Sequence, residues 1–375
     1  MKIILHGATD CGSSNYGDFL YGKLIYDYLI NKLNVSADNI FFYNPSIFFE
    51  KNIDKKRNGH LKGTVKHSDA AIYIPGGYFG EGHNASWKET LVQIMRFIPF
   101  GLKCAFYKVP LAVIGVGAGP NNNLIFKKCI KFIVNYGKIV TVRDEESFNA
   151  LKQIGCKNVI SCSDLIVAFD MKAYDSGNNV SGCCECITEK LKNSKKKGLL
   201  IHFNHSKKAA KVFGKAVHLF IQQNPDYYPV VSSDQLLSNE SELIEVFEKE
   251  YDSVDYLIYK YNDPFEFGYL VSNMDMILTS KLHVGVTAAL KNKAVLAVAV
   301  HPEKTIRFYK QIDALMNFMN LDQVSDEMIC EQMNITKDLH VSIPKKVYSL
   351  ANKNLNELSR FITEIKEDKI VHESR

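Results

Sequence analysis

The chain has no dense basic tract interleaved with aromatics, and its 46 Lys and Arg exceed its 41 Asp and Glu by only 5. Extended nucleic acid is therefore set aside as a partner, because a mild positive excess suits an anionic small ligand or a membrane surface better. No apolar stretch reaches the roughly 20 residues that span a bilayer before charge or glycine interrupts it, so no transmembrane helix is expected. The opening "MKIILHGATD" lacks a signal-peptide core and a small-residue cleavage site and reads as a strand, which places the expected location in the cytoplasm. The 9 cysteines are scattered and odd in number, as reduced thiols usually are. "CCEC" at 183–186 has no second pair at zinc spacing, so no metal is expected. The first strand is not followed by G-x-G-x-x-G: Gly7, Gly12 and Gly17 are too widely spaced, which disfavours NAD. Nor is there an internal repeat of the kind that marks a solenoid.

What is present is enough apolar material, 46% of 375 residues, to bury a core in each of two domains. Short apolar runs, "KIILHG", "NIFFYN", "AAIYIPGG", "PLAVIGVGAG", "KIVTVRD" and "NVISCSDL", alternate with helical patterns at 17–33, 86–99, 122–136 and 145–154. Nearly continuous apolar strands separated by helices indicate a parallel sheet covered on both faces. The fold class is α/β, with two doubly wound Rossmann-like domains at 1–168 and 198–345. A polar linker at 169–197 joins them and a C-terminal helix at 346–375 packs across a domain surface.

Ligands of open parallel sheets bind beyond the carboxyl ends of the strands, so the residues that follow each strand carry the functional reading. After the first strand, Asn15 and Asp18 either cap and complement the helix that begins there or bond a sugar hydroxyl. "PGGYFGEG" brings Gly76 and Gly77, and "GVGAGP" brings Gly117. Such glycines either let backbone N–H groups approach an oxyanion or form tight turns. "VTVRDEES" puts Arg143 before an acidic helix start, as an internal ion-pair partner or as a ligand for carboxylate or phosphate. "SKLH" crowds Ser280, Lys281 and His283 at a strand's end, where a histidine titrating near neutrality gives or takes a proton beside a cation that holds an anion. Lys304 and Arg307 follow the next strand, as cleft or surface charges, and His205 follows the first strand of the second domain. The stretch at 91–108 mixes aromatics with Arg96, Lys103 and Lys108, and is either core or a surface that rests on anionic lipid.

Together "NYGD" (15–18), "PGGYFGEG" (75–82), "GVGAGP" (115–120), "VRDEES" (from 142) and "SKLH" (280–283) resemble the polysaccharide pyruvyl transferase family over roughly 1–310. The resemblance implies a glycosyltransferase-B-like protein that needs no cofactor. Such a protein moves the carboxyvinyl unit of phosphoenolpyruvate onto two hydroxyls of a sugar, free or lipid-linked, and forms a cyclic ketal with release of phosphate. It implies an acceptor side in the first domain and a donor side in the second. The lack of a signal peptide together with the aromatic and basic stretch at 91–108 sets the expected work in the cytoplasm at the inner face of a membrane. The family's Arg-Leu-His triplet matches Lys281, Leu282 and His283, and its arginine before an acidic helix start matches Arg143. Lysine at 281 keeps the charge and loses the bidentate fork, and Ala294 stands near where the family has proline. His283 is the expected general acid, with Arg143, Lys281, Leu282, Ser280 and Lys304 on the donor. Two other classes share the architecture: a nucleotide-sugar glycosyltransferase and a non-catalytic glycan-binding relative.

Overall fold

Apolar runs too short for helices, such as Ile3–His6 and Leu111–Ala118, form strands buried along their whole length, as the sequence pattern requires of a sheet covered on both faces. A computed structural model describes residues 1–10, 15–54, 57, 60–81, 85–171, 182–252 and 255–373. They fall into a first unit, Met1–Ser14, Asp18–Phe169 and Lys345–Arg375, and a second, Asn15–Gly17 and Asp170–Pro344.

The first unit contains β1 (Ile3–His6), α1 (Tyr16–Asn31, from Asp18 on), β2 (Ile40–Phe42), α2 (Ile47–Ile53), β3 (Ala70–Tyr73), β4 (Gly76–Phe79) and α3 (Trp87–Phe106). It continues with β5 (Leu111–Ala118), α4 (Leu124–Tyr136), β6 (Ile139–Val142), α5 (Glu145–Gln153) and β7 (Ile160–Ser161). Its sheet runs β2-β1-β3-β5-β6-β7, with β4 also paired to β5. Every pairing is parallel; Ile3 sits opposite Ala70 and Ala112 opposite Ile139. Tyr73, Phe79, Phe97, Phe100 and Ile133 fill the core.

The second unit contains α6 (Gly182–Ser194), β8 (Lys197–His202), α7 (Lys207–Gln223), β9 (Tyr227–Ser232), α8 (Glu240–Tyr251), β10 (Leu257–Tyr259) and α9 (Pro264–Ser272). After these come β11 (Met276–Thr279), α10 (Leu282–Leu290), β12 (Ala294–Ala299), α11 (Pro302–Gln311), β13 (Phe318–Asn320) and α12 (Asp326–Thr336). Its parallel sheet is ordered β10-β9-β8-β11-β12-β13. The order reverses direction between β8 and β11, the topological switch point where doubly wound sheets open a crevice. Phe213, Phe220, Phe247 and Leu278 lie in its core. The last helix, α13 (Lys345–Glu373), belongs to the first unit.

Three local expectations differ from the structure. The helix expected at 86–99 continues to Phe106 through Pro99, because Phe97, Phe100, Gly101 and Cys104 all bury on one face and outweigh the hydrogen bond that proline removes. Half of "PGGYFGEG" is strand β4, held by pairing with β5 that no local pattern reveals. Of the expected linker at 169–197, residues 172–181 lie outside the described residues, while Gly182–Ser194 is a helix that buries Cys184, Ile187 and Leu191.

Candidate functional site

The carboxyl edge of the second unit's sheet gathers polar groups at the switch point. Thr279 ends β11, and Lys281 takes the N-cap position of α10 with no side-chain cap hydrogen bond. Helix α11 starts in the same way, at His301 with Pro302 at its first position, whereas Ser206 caps α7 and Asp263 caps α9. The Lys281 side chain thus leaves the first turn of α10 uncapped, and the helix dipole favours an anion there. The sequence expectation that "SKLH" spans a strand end and a helix start is met.

Lys281 reaches back over this edge. Its Nζ donates to Asp234 Oδ1 at 2.8 Å, Gln235 Oε1 at 3.1 Å and Asn204 Oδ1 at 3.3 Å. His202, at the end of β8, is fully buried, with Nδ1 3.0 Å from Thr279 Oγ1 and Nε2 3.3 Å from Asp234 Oδ1. Burial pushes the Asp234 carboxyl up, but the Lys281 ammonium and the His202 ring outweigh it and hold the group well below the usual carboxylate range. Asp234 Oδ2 and Ser280 Oγ are buried without a hydrogen-bond partner among the described residues. Asp234, His202, Asn204 and Gln235 escaped the sequence reading: polar residues after strands are common, and only pairing across distant loops singles these out.

"NYGD" joins the same site. The Tyr16 N–H donates to the Asp234 carbonyl at 2.9 Å, the Tyr16 ring meets Phe267 edge-on, and its hydroxyl lies 3.4 Å from Thr287 Oγ1 on α10. Asn15 Oδ1 accepts from the Gly17 N–H at 2.9 Å, a capping contact at the start of α1. The His283 ring packs on Gly17 so closely that a Cβ at position 17 would stand 1.8 Å from its Nδ1. Glycine is required there by the histidine, and two motifs far apart in sequence prove to be neighbours.

The surroundings are cationic. His205 and His301 both titrate below the ordinary histidine value, first through partial desolvation of their rings and then through Lys281 and Lys304. Lys304, on the first turn of α11, thus acts on the same edge as Lys281.

Within the first unit, Arg143 follows β6 and is buried, its Nε 3.6 Å from Asp144 Oδ2. Its guanidinium lies over Gly117, where a Cβ would come within 2.8 Å of Nε and Cζ, and beside Gly77, where the Cβ would be 3.4 Å from Nη2. Tyr21 donates to Asp164 Oδ2 at 2.6 Å in the same cluster. Burial opposes the Arg143 charge, yet Tyr21, Asp144 and Asp164 raise its pKa further. Gly77, Gly117 and Arg143 are therefore one assembly. Gly76 instead packs against the Tyr78 ring, and Asp18 lies in the first turn of α1. Among the described residues no group of three or more His, Cys, Asp or Glu is placed to hold a metal ion. Cys184 of "CCEC" is a buried thiol that desolvation pushes up to about 12.

Two Rossmann-like α/β domains with a terminal helix define a glycosyltransferase-B-like protein, and solved structures share that fold. The UDP-GlcNAc 2-epimerase of Methanocaldococcus jannaschii, in complex with UDP-GlcNAc and UDP, aligns with a TM-score of 0.60 at 13% identity over 96% of this chain and 99% of its own. S. aureus MnaA with UDP gives 0.57 at 15% over 97% of each chain. Anabaena Alr3699/HepE with UDP gives 0.56 at 13% over 100% of each. No curated protein sequence matches this chain. The model of the polysaccharide pyruvyl transferase family matches residues 15–302, and the chain belongs to that family.

Proposed function

We propose that this protein transfers the pyruvyl group of phosphoenolpyruvate onto two hydroxyls of a sugar in a cell-surface polysaccharide or its lipid-linked precursor, in the cytoplasm at the inner face of a membrane. The supporting observation is the placing of Lys281 as the N-cap of α10, with no side-chain cap hydrogen bond, and of His283, seated on Gly17, in its first turn at the switch point of the second sheet. Phosphoenolpyruvate carries a carboxylate and a phosphate, and a cation beside uncapped helix amides suits both. His283 delivers a proton to the methylene carbon, making it a methyl group, while a sugar hydroxyl adds to the adjacent carbon and gives up its proton. The C–O bond to phosphate then breaks, Lys281 and Lys304 stabilise the leaving dianion, and the second hydroxyl closes the ketal with loss of its proton. In this reading Ser280 Oγ, buried without a hydrogen-bond partner among the described residues, donates to a donor oxygen.

The test is phosphate release from phosphoenolpyruvate with a panel of model and lipid-linked glycosides. Release that depends on a glycoside, with a ketal in the product, supports the reading. Transfer from a sugar nucleotide instead would assign the second domain the ligand class named for the neighbouring epimerase structures. Binding of glycoside without release from either donor would make the protein a glycan-binding relative.

A further inference from the structure

The two neighbouring helices α3 and α4 turn an apolar stripe outward. Along α3, Trp87, Leu91, Met95, Leu102 and Phe106 recur at helical spacing on one face, and Trp87, Met95 and Phe106 are 69%, 68% and 79% exposed. The opposite face, with Phe97, Phe100 and Cys104, already fills the core, so the exposed stripe is surplus to folding. It runs about 30 Å, the length of a helix of this size. Helix α4 packs beside it, with Ile133 against Gly101 and the Tyr136 hydroxyl bonded to the Cys104 carbonyl at 3.1 Å, and adds exposed Leu124, Ile125 and Phe132. Large apolar side chains exposed in this number on two packed helices mark an interaction surface.

Charge decides the partner. Lys88, Lys108, Lys128 and Lys131 are exposed on the same two segments, while the only carboxylate in 85–108 and 121–138 is Glu89. Glu89 lies about 200° around the helix from Trp87, and its carboxylate accepts from the Ser86 N–H at 2.7 Å. A twofold pairing of this face with a second copy would set lysines against lysines. We infer that α3 and α4 form an interfacial docking surface for an anionic bilayer, with the aromatic and aliphatic side chains entering the headgroup boundary and the lysines meeting lipid phosphates. No helix of the described residues is long and apolar enough to cross a membrane, so the contact lies in the plane of the interface. Arg96 takes no part: its partly buried guanidinium is engaged by Asp10, to which its Nε donates at 2.7 Å. The surface stands independently of the chemistry proposed for the second unit.

Trp87 is the only tryptophan of the chain, and its emission is the readout. With vesicles of phosphatidylcholine and phosphatidylglycerol at low salt, the emission should shift to the blue and the protein should sediment with the lipid. Pure phosphatidylcholine should bind it far less. Lys128→Glu with Lys131→Glu should weaken partition about tenfold or more, and Met95→Asp with Phe106→Asp should abolish it; all four positions are exposed, so the fold is preserved and circular dichroism verifies this. Absence of shift and sedimentation with anionic vesicles would overturn the inference. So would a blue shift without lipid that grows with protein concentration together with a dimer in sedimentation, since that would give the face to a second copy.

Discussion

Lys281 meets Asp234 at 2.8 Å, so an incoming anion competes with a buried carboxylate for its charge. Because Lys281 and Lys304 help to hold the His205 and His301 rings below their ordinary value, a bound dianion should raise both rings. The complex then binds more protons than the free protein, and affinity should increase as pH falls through the histidine range, about 6.5 for a free side chain. Sulfate, which does not titrate there, is the clean probe: calorimetry in two buffers of different ionisation enthalpy should show net proton uptake, and release would refute it. Lys281→Ala should move the His205 NMR titration upward, and an unmoved midpoint would separate the two residues electrostatically. His283→Gln keeps size without a deliverable proton, so phosphate release should fall roughly 10² to 10⁴-fold with donor affinity little changed. Near-normal turnover would remove the histidine from the mechanism. Arg143→Ala leaves Asp144 and Asp164 buried without their cation and should cost about 3 to 5 kcal/mol of stability in chemical denaturation. If it unfolded like the parent protein and lost only donor affinity, Arg143 would be a ligand and not a structural partner.

The beginnings of α1 and α10 form one element of the site, since Gly17 exists in that form for the His283 ring. Gly17→Ala should displace the ring and lower turnover toward the level of His283→Gln, while Tm changes far less than activity. An alanine variant with full activity would show that the ring has room elsewhere. How the elements came to be legible follows from the range of their causes. Strands buried on both faces announce themselves as apolar runs, and Asn15 and Asp144 announce helix starts by local capping chemistry, visible in a few residues. Strand β4 looks like a glycine loop in the sequence because Gly76 and Gly77 suppress strand propensity, and only pairing with β5 restores it. The expected end of α3 at 99 gives way to the burial of Phe100 and Cys104 beyond Pro99. Of the site, Lys281 and His283 were legible from their place at a strand's end, whereas Asp234 became visible only when β9 and β11 were brought to the same edge, two strands on either side of β8.

At the scale of the whole molecule the alternation of strands and helices gave two sheets, but an amphipathic pattern says that a helix packs without saying on what. The terminal helix α13 belongs to the first unit although the second unit's last elements precede it in the chain. It is keyed there by Asn354, fully buried, which donates to the Ser163 carbonyl at 2.9 Å and accepts from Thr141 Oγ1 at 2.6 Å; Thr141 in turn accepts from the Gly115 N–H at 2.7 Å. The Gly115 backbone is left-handed, with φ of +61°, at a register shift in β5, so the helix stabilises an irregular strand of the central sheet. Phe361 is fully buried on the same helix. Phe361→Ala should therefore cost about 3 to 5 kcal/mol, and the loss should be local to one unit. Native-state hydrogen exchange distinguishes the cases: protection of β5 and β6 amides should fall by the full amount while that of β8 and β11 amides holds. An equal fall in both sheets would mean that the two units unfold as a single cooperative body, and a fall confined to β8 and β11 would place α13 with the second unit.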